Sequence, residues 1–162
     1  AGVWERRKGL DYFIELAKKA KDDEVIVLVG LSQEQQNKLP KNIIGISRTN
    51  SAKELAEIYT SADVFVNPTL EDNFPTTNLE ALACGTPVIT NTIPTNSTYI
   101  GENHLGITKD ERNEDELKKV VDENQYYVNN CIKFRKKLSN RYSAEKMVDI
   151  FWEQQEKKSI KL

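Results

Sequence analysis

Histidine and methionine each occur once in these 162 residues, and cysteine only twice. Cys84 and Cys131 lie far apart and form neither a metal-ligand nor a redox pair spacing. A lone histidine such as His104 is more often a surface or core residue than a catalyst. No Asp-x-Asp cluster is present to hold a divalent ion. There is no signal peptide and no long apolar run, which makes a reducing cytoplasmic setting the expectation. Charge of one sign is missing too: 23 Lys and Arg nearly cancel 25 Asp and Glu, for a net charge of −2. No global field therefore argues for nucleic acid or an acidic membrane surface. Any anion must be bound by a local arrangement.

What is present is a soluble globular balance, with 38% hydrophobic and 30% charged residues. The length fits one domain with room for a real core, and no repeat, low-complexity tract or linker interrupts it. Ala1-Gly2-Val3-Trp4 reads as a strand with no initiator Met ahead of it, as expected of a piece excised from a longer protein. Leu10, Phe13, Ile14, Ala17 and Ala20 then share a helical face. Val25-Ile26-Val27-Leu28-Val29 is an unbroken apolar run, the pattern of a parallel strand covered on both faces. A polar stretch over residues 32–39 leads to a weaker strand at 42–46. Ser51-Ala52-Lys53-Glu54 is a capping box opening a helix with Leu55, Ile58, Tyr59 and Ala62 inward. Val64-Phe65-Val66 is a strand stopped by Asn67-Pro68. A helix starts at Thr77 and ends near Cys84-Gly85, and Pro87-Val88-Ile89-Thr90 is another strand. A last short strand falls within residues 104–108. Beyond Asp110 the pattern is helical, with Tyr127, Cys131, Phe134 and Leu138 on one face. Ser143 caps a final helix carrying Met147, Ile150 and Phe151, and residues 143–162 form a terminal helix and tail. This alternation predicts an α/β domain: a doubly wound, Rossmann-like parallel sheet of about six strands with helices on both faces. Ligands of such a sheet bind beyond the carboxyl ends of its strands, after Trp4, Val29, Ile46, Val66 and Ile89.

The most informative stretch is Pro68-Thr69-Leu70-Glu71-Asp72-Asn73-Phe74-Pro75-Thr76-Thr77-Asn78-Leu79-Glu80-Ala81-Leu82-Ala83-Cys84-Gly85-Thr86-Pro87. An acidic loop runs straight into a helix start at the ligand edge. Unpaired N–H groups and the positive dipole end of that helix make a seat for a phosphate. Acids on either side of the helix start, such as Asp72 and Glu80, could accept hydrogen bonds from the vicinal hydroxyls of a sugar.

This run resembles the acid-x7-acid motif of family 4 retaining glycosyltransferases, which have the GT-B fold. The match is Asp72, Asn73-Phe74, Glu80, then Ala81-Leu82-Ala83-Cys84-Gly85-Thr86-Pro87-Val88. It is extended upstream by the helix, strand and Pro-Thr of residues 55–69 and by Lys8-Gly9-Leu10. The resemblance spans about residues 2–106 and is specific as a combination. It implies that residues 1–162 form the nucleotide-sugar donor domain, with an absent N-terminal domain binding the acceptor across a cleft. Glu80 would bind the ribose hydroxyls, and Asp72 would face the donor sugar. Lys8 would neutralise the diphosphate with Arg6 or Arg7 and with the N–H groups around Phe74, Thr76 and Thr77. Preplaced cations of this kind stabilise a leaving diphosphate and remove the need for a metal.

Two departures from the family pattern stand out. Asp72 is one methylene shorter than the usual Glu, so either the sugar sits closer or Glu71 takes part of the role. Val3 stands where many members carry an arginine. Arg48 and Thr49 follow the third strand, where the nucleobase should lie.

Blander roles compete at each position. Thr77 and Glu80 can form a capping box, and Asp72 and Asn73 can make local turns. Arg48 can be a surface arginine, and Cys84 a small core residue. Tyr126, Tyr127 and Phe134 suit a core or docking surface. Arg6-Arg7-Lys8, by contrast, sits at the unfavourable end of a helix dipole, which suggests an anion there. The resulting expectation is a metal-independent, retaining hexosyltransferase domain that needs no cofactor, takes a UDP- or GDP-sugar, and is inactive alone. It would work in the cytoplasm or at the cytoplasmic face of the membrane, in polysaccharide biosynthesis. The alternatives are a GT-B epimerase or phosphorylase, and a non-catalytic nucleotide-binding or interaction domain.

Overall fold

The computed structural model describes residue 4 and residues 9–69, 75–92, 97–108 and 114–138. Among them helices and strands alternate: α1 (Leu10–Lys19), β1 (Ile26–Val29), α2 (Gln33–Gln36), β2 (Ile43–Ile46), α3 (Ala52–Ser61), β3 (Phe65–Asn67), α4 (Thr76–Ala83), β4 (Val88–Thr90), β5 (Gly106–Thr108), α5 (Glu114–Asp122) and α6 (Asn124–Leu138). A wide helical turn, Ser97–Gly101, precedes β5. The sequence signals account for most of this. The first-strand reading lies outside the described residues except for Trp4, and the terminal-helix reading lies outside them altogether.

Among the described residues all strand pairings are parallel. β1 pairs with β2, Ile26 opposite Ile43 and Val29 opposite Ile46. β4 lies between β3 and β5, with Phe65 opposite Val88 and Val88 opposite Gly106. Parallel neighbours need a crossover between them, and helices supply it here. The α/β expectation holds, and five strands in two ladders are seen among the described residues.

Helix ends show how local chemistry sets the boundaries. α1 carries Asp11 in its first turn and Lys18 and Lys19 in its last, each the sign that its end of the helix dipole prefers. The predicted capping box of α3 is shifted. Ser51 Oγ accepts from the Glu54 N–H at 3.1 Å, but the Glu54 carboxylate reaches one residue further back, to the Asn50 N–H at 2.6 Å. A reciprocal box does form where a plain polar stretch was expected. Ser32 and Gln35 cap each other and nucleate the single turn of α2. α4 stops in a Schellman arrangement: the Thr86 N–H donates to Ala81 O and the Gly85 N–H to Leu82 O, both at 3.0 Å. That geometry needs a left-handed residue, and Gly85 supplies it at φ 86°.

Two clusters form the core. Around β1 and β2, Phe13, Ala17, Leu28, Leu31 and Ile43 are buried, with Trp4 and Val66 packed on them. Around β3–β5, Tyr59, Ala81, Leu82, Val88, Tyr99, Ile100, Leu105 and Cys131 are buried, with Leu55, Phe65 and Phe134 against them. Val66 of β3 reaches the first cluster, so the two ladders pack together.

One expectation fails in detail. The apolar run of β1 predicted cover on both faces, yet Val25 is 63% exposed, Val27 43% and Ile44, opposite Val27, 52%. α1 covers the other face, which Leu28 and Ile43 line. Among the described residues, no helix is long and apolar enough to cross a membrane.

Candidate functional site

Two contacts put the ends of both ladders on the same side of the molecule. The Trp4 indole N–H donates to the Val29 carbonyl, at the end of β1, at 2.7 Å. Gly9, just before α1, lies against Pro68, just after β3: a Cβ built on Gly9 would fall 2.8 Å from Pro68 Cγ. Gly9 also has a left-handed backbone, φ 76°, so glycine is required there twice over. The carboxyl ends of β1, β2, β3 and β4 thus open on one edge, where a sheet of this kind binds its ligands.

Beneath this edge lies a network of buried amides. Asn67, the last residue of β3, donates from Nδ2 to Asn78 Oδ1 on α4 at 2.8 Å, and its own Oδ1 accepts from the Thr69 N–H at 3.2 Å. Asn78 in turn donates to the Tyr99 hydroxyl at 3.4 Å. Beyond β4, Asn91 Nδ2 reaches the Thr69 carbonyl at 2.9 Å and the Pro68 carbonyl at 3.2 Å. These amides lash the segment after β3 to α4 and to β4. An Asn at a buried strand end and another on a helix's inner face are costly unless partnered, and these are partnered. The Thr69 hydroxyl is the exception: its residue is 1% exposed and the oxygen has no hydrogen-bond partner among the described residues. It lies at the ligand edge, immediately before the acidic loop.

α4 begins at Thr76, with Pro75 in the cap position, a residue whose side chain makes no capping hydrogen bond. The Thr77–Glu80 capping box is therefore not formed. Its geometry needs Glu80 in the first turn, and the helix starts too early for that. Glu80 stands exposed in the second turn, where its Oε2 accepts from the Tyr59 hydroxyl of α3 at 3.2 Å. Burial first, then the charge of Glu80, pushes the Tyr59 phenol up, so it remains a proton donor through the neutral range.

Thr76 is exposed and Thr77 half-buried at the start of α4, and Arg48 is exposed in the loop after β2. Arg6, Arg7, Lys8, Glu71, Asp72, Asn73 and Phe74 lie outside the described residues. Glu80, Thr76 and Thr77 are thus brought together on one helix, while Arg48 belongs to the neighbouring loop. Sequence reasoning gave Asn67 only the part of a strand stop and missed the bonds of Tyr59 to Glu80 and of Asn91 to the segment after β3. The signal for Asn67 and Asn78 was available as amide residues at core positions.

The 520 Å³ hollow lined by His104, Lys119, Glu123, Tyr126 and neighbours lies elsewhere, before the amino end of β5. It shares no residue with the ligand edge.

Comparison with known proteins agrees with this geometry. The profile of the glycosyl transferases group 1 family matches residues 1–143. Alpha-galactosylglucosyldiacylglycerol synthase of Streptococcus pneumoniae is 27% identical over 175 aligned positions, covering 98% of this chain and 45% of that protein. D-inositol 3-phosphate glycosyltransferase of Paenarthrobacter aurescens is 42% identical over 59 positions, covering 36% of this chain and 14% of that protein. In fold, the chain superposes on WaaG, a glycosyltransferase involved in lipopolysaccharide biosynthesis, with a TM-score of 0.67 at 20% identity, covering 89% of this chain and 43% of WaaG. The glycosyltransferase SnogD from Streptomyces nogalater gives 0.60 at 17% identity, covering 92% and 42%. The chain spans less than half the length of each of these relatives and structures. With the profile matched over most of its length and the fold of GT-B glycosyltransferases, this chain belongs to the glycosyl transferases group 1 family.

Proposed function

We propose that this chain is the donor-binding domain of a retaining glycosyltransferase, holding a nucleoside diphosphate sugar at the carboxyl edge of its sheet. The observation that carries the reading is Glu80. It sits one turn inside α4, outside the first turn that a capping box needs, and presents a carboxylate held by Tyr59 near a helix start whose cap residue is a proline. A carboxylate so placed accepts hydrogen bonds from the vicinal hydroxyls of a ribose, while the N–H groups at the start of α4 face the diphosphate.

The remaining roles follow from the family pattern. Lys8, with Arg6 or Arg7, neutralises the diphosphate as it leaves, which stabilises the transition state without a metal. Asp72, or Glu71 beside it, faces the sugar, and Asn73, Phe74, Thr76 and Thr77 line the phosphate path. Arg48 borders the base. The acceptor belongs to a second domain of the same protein, consistent with relatives more than twice as long. Alone, the chain binds donor and transfers little. The reaction takes place in the cytoplasm or at the cytoplasmic face of a membrane, in glycan assembly.

The test is calorimetric titration of the chain with UDP, GDP and ADP, repeated with Glu80→Ala. One nucleotide should bind, and the variant should lose that binding. An equal response to all three, unchanged in Glu80→Ala, would favour the non-catalytic interaction reading and overturn the proposal.

A further inference from the structure

We propose that Tyr59 is a positioning residue: its hydroxyl sets the direction of the Glu80 carboxylate, and through it the preference of the site for a ribose bearing its hydroxyls. The inference rests on the donor-domain reading and deepens it.

The argument begins with an asymmetry between the two partners. Tyr59 is 5% exposed, and three contacts fix it. Its ring meets Phe65 edge-on, with centroids 5.3 Å apart. Its carbonyl accepts from the buried Thr86 hydroxyl at 2.6 Å. Its hydroxyl donates to Glu80 at 3.2 Å. Glu80, by contrast, is exposed, and an exposed glutamate samples several rotamers. A rigid buried donor therefore holds a carboxylate that would otherwise wander.

Helix geometry explains how two residues on different elements meet. Tyr59 lies in the last turn of α3, near the amino side of the sheet. Helical side chains lean back towards their own N-terminus, so the ring points towards the carboxyl edge. Glu80 is one turn down α4 from that edge, and the phenol closes the remaining gap. The bond engages Oε2 and leaves Oε1 and the outward lone pairs for a ligand. A purely structural hydrogen bond would steady the two helices but would not distinguish one nucleotide from another.

The test uses the full chain and the best-binding of UDP, GDP and ADP, together with the 2′,3′-dideoxy form of that nucleotide. Wild type should prefer the ribose form. Tyr59→Phe, which keeps the ring and its packing, should weaken the ribose form roughly five- to tenfold and leave the dideoxy form unchanged. Its melting temperature should stay close to wild type. If Tyr59→Phe keeps the wild-type preference, or weakens both nucleotides equally, the positioning role is wrong while the donor reading stands. A wild type that binds both forms equally sinks the ribose role of Glu80, and this inference with it.

Discussion

The two core clusters are built on different principles. Around β1 and β2 the buried side chains are Phe13, Ala17, Leu28, Leu31 and Ile43, all apolar. Around β3 and β4 the core also takes in Asn67, Thr69, Asn78, Thr86, Thr90 and Asn91, which are the buried polar residues among those described. Burying an amide costs free energy unless every group finds a partner, whereas an apolar side chain needs only to fit. Thr86 apart, which precedes the amino end of β4, the polar half accepts that cost at the carboxyl strand ends and on the facing side of α4. Its amides fix the backbone after β3 with directional bonds, which non-directional packing could not do. The lesson is that the first half supplies stability, while the second supplies both stability and aim.

Four experiments would break or sharpen this contrast. The largest expected effect is in the apolar half: Phe13→Ala should cost about 3–5 kcal/mol in urea denaturation, by lost burial and a cavity. Nucleotide affinity of the folded variant should be unchanged, and a matching loss of affinity would erase the distinction. Asn78→Ala should cost about 1–3 kcal/mol, because the buried Asn67 amide loses its acceptor. In that variant nucleotide binding should weaken as well, since α4 is no longer tied to β3. If stability falls and affinity does not, the network is structural only.

A third experiment uses pH. Burial pushes the Cys131 thiol up to about 12 from its ordinary 9.0. The folded chain then keeps a proton that the unfolded chain loses, so stability should fall as pH rises from about 9 towards 12. By pH 10 the loss from this thiol should be roughly 1 kcal/mol, and Cys131→Ala should make the profile shallower, the raised Tyr59 phenol accounting for part of what remains. An identical slope in that variant would mean that the thiol is not the group responsible. The smallest effect is expected on the open face of β1 and β2. There, Ile44→Thr should change stability by no more than ~0.5 kcal/mol in the same denaturation, because the side chain is already 52% exposed. A cost of several times that would show that something covers this face.

Legibility in the sequence followed the same divide. Period and punctuation revealed the elements: the apolar run at β1, the Leu10–Phe13–Ala17 face of α1 and the Gly85 stop of α4 were each readable. An apolar run says that a strand is buried somewhere, however, and not on how many faces; hence the exposed Val25 and Val27. In the site, the family pattern picked out Glu80, and local spacing suggested a capping box with Thr77 that the early start of α4 does not allow. Tyr59 was read as an inward helix residue, which it is. Its bond to Glu80 joins α3 to α4 across 21 positions, and no local pattern encodes such a meeting. Asn67 and Asn78 likewise act through a contact between a strand end and a helix.

The close approach of Gly9 to Pro68 has a consequence for how this chain can vary. A side chain at position 9 would strike the proline ring, and a differently shaped residue at 68 would leave the glycine without its neighbour. Position 9 is therefore closed to side chains on two independent grounds, contact and backbone. Changes at position 9 should be rejected in a library selected for folding even where position 68 varies with it, because a smaller residue at 68 relieves the clash and leaves the left-handed backbone strain in place.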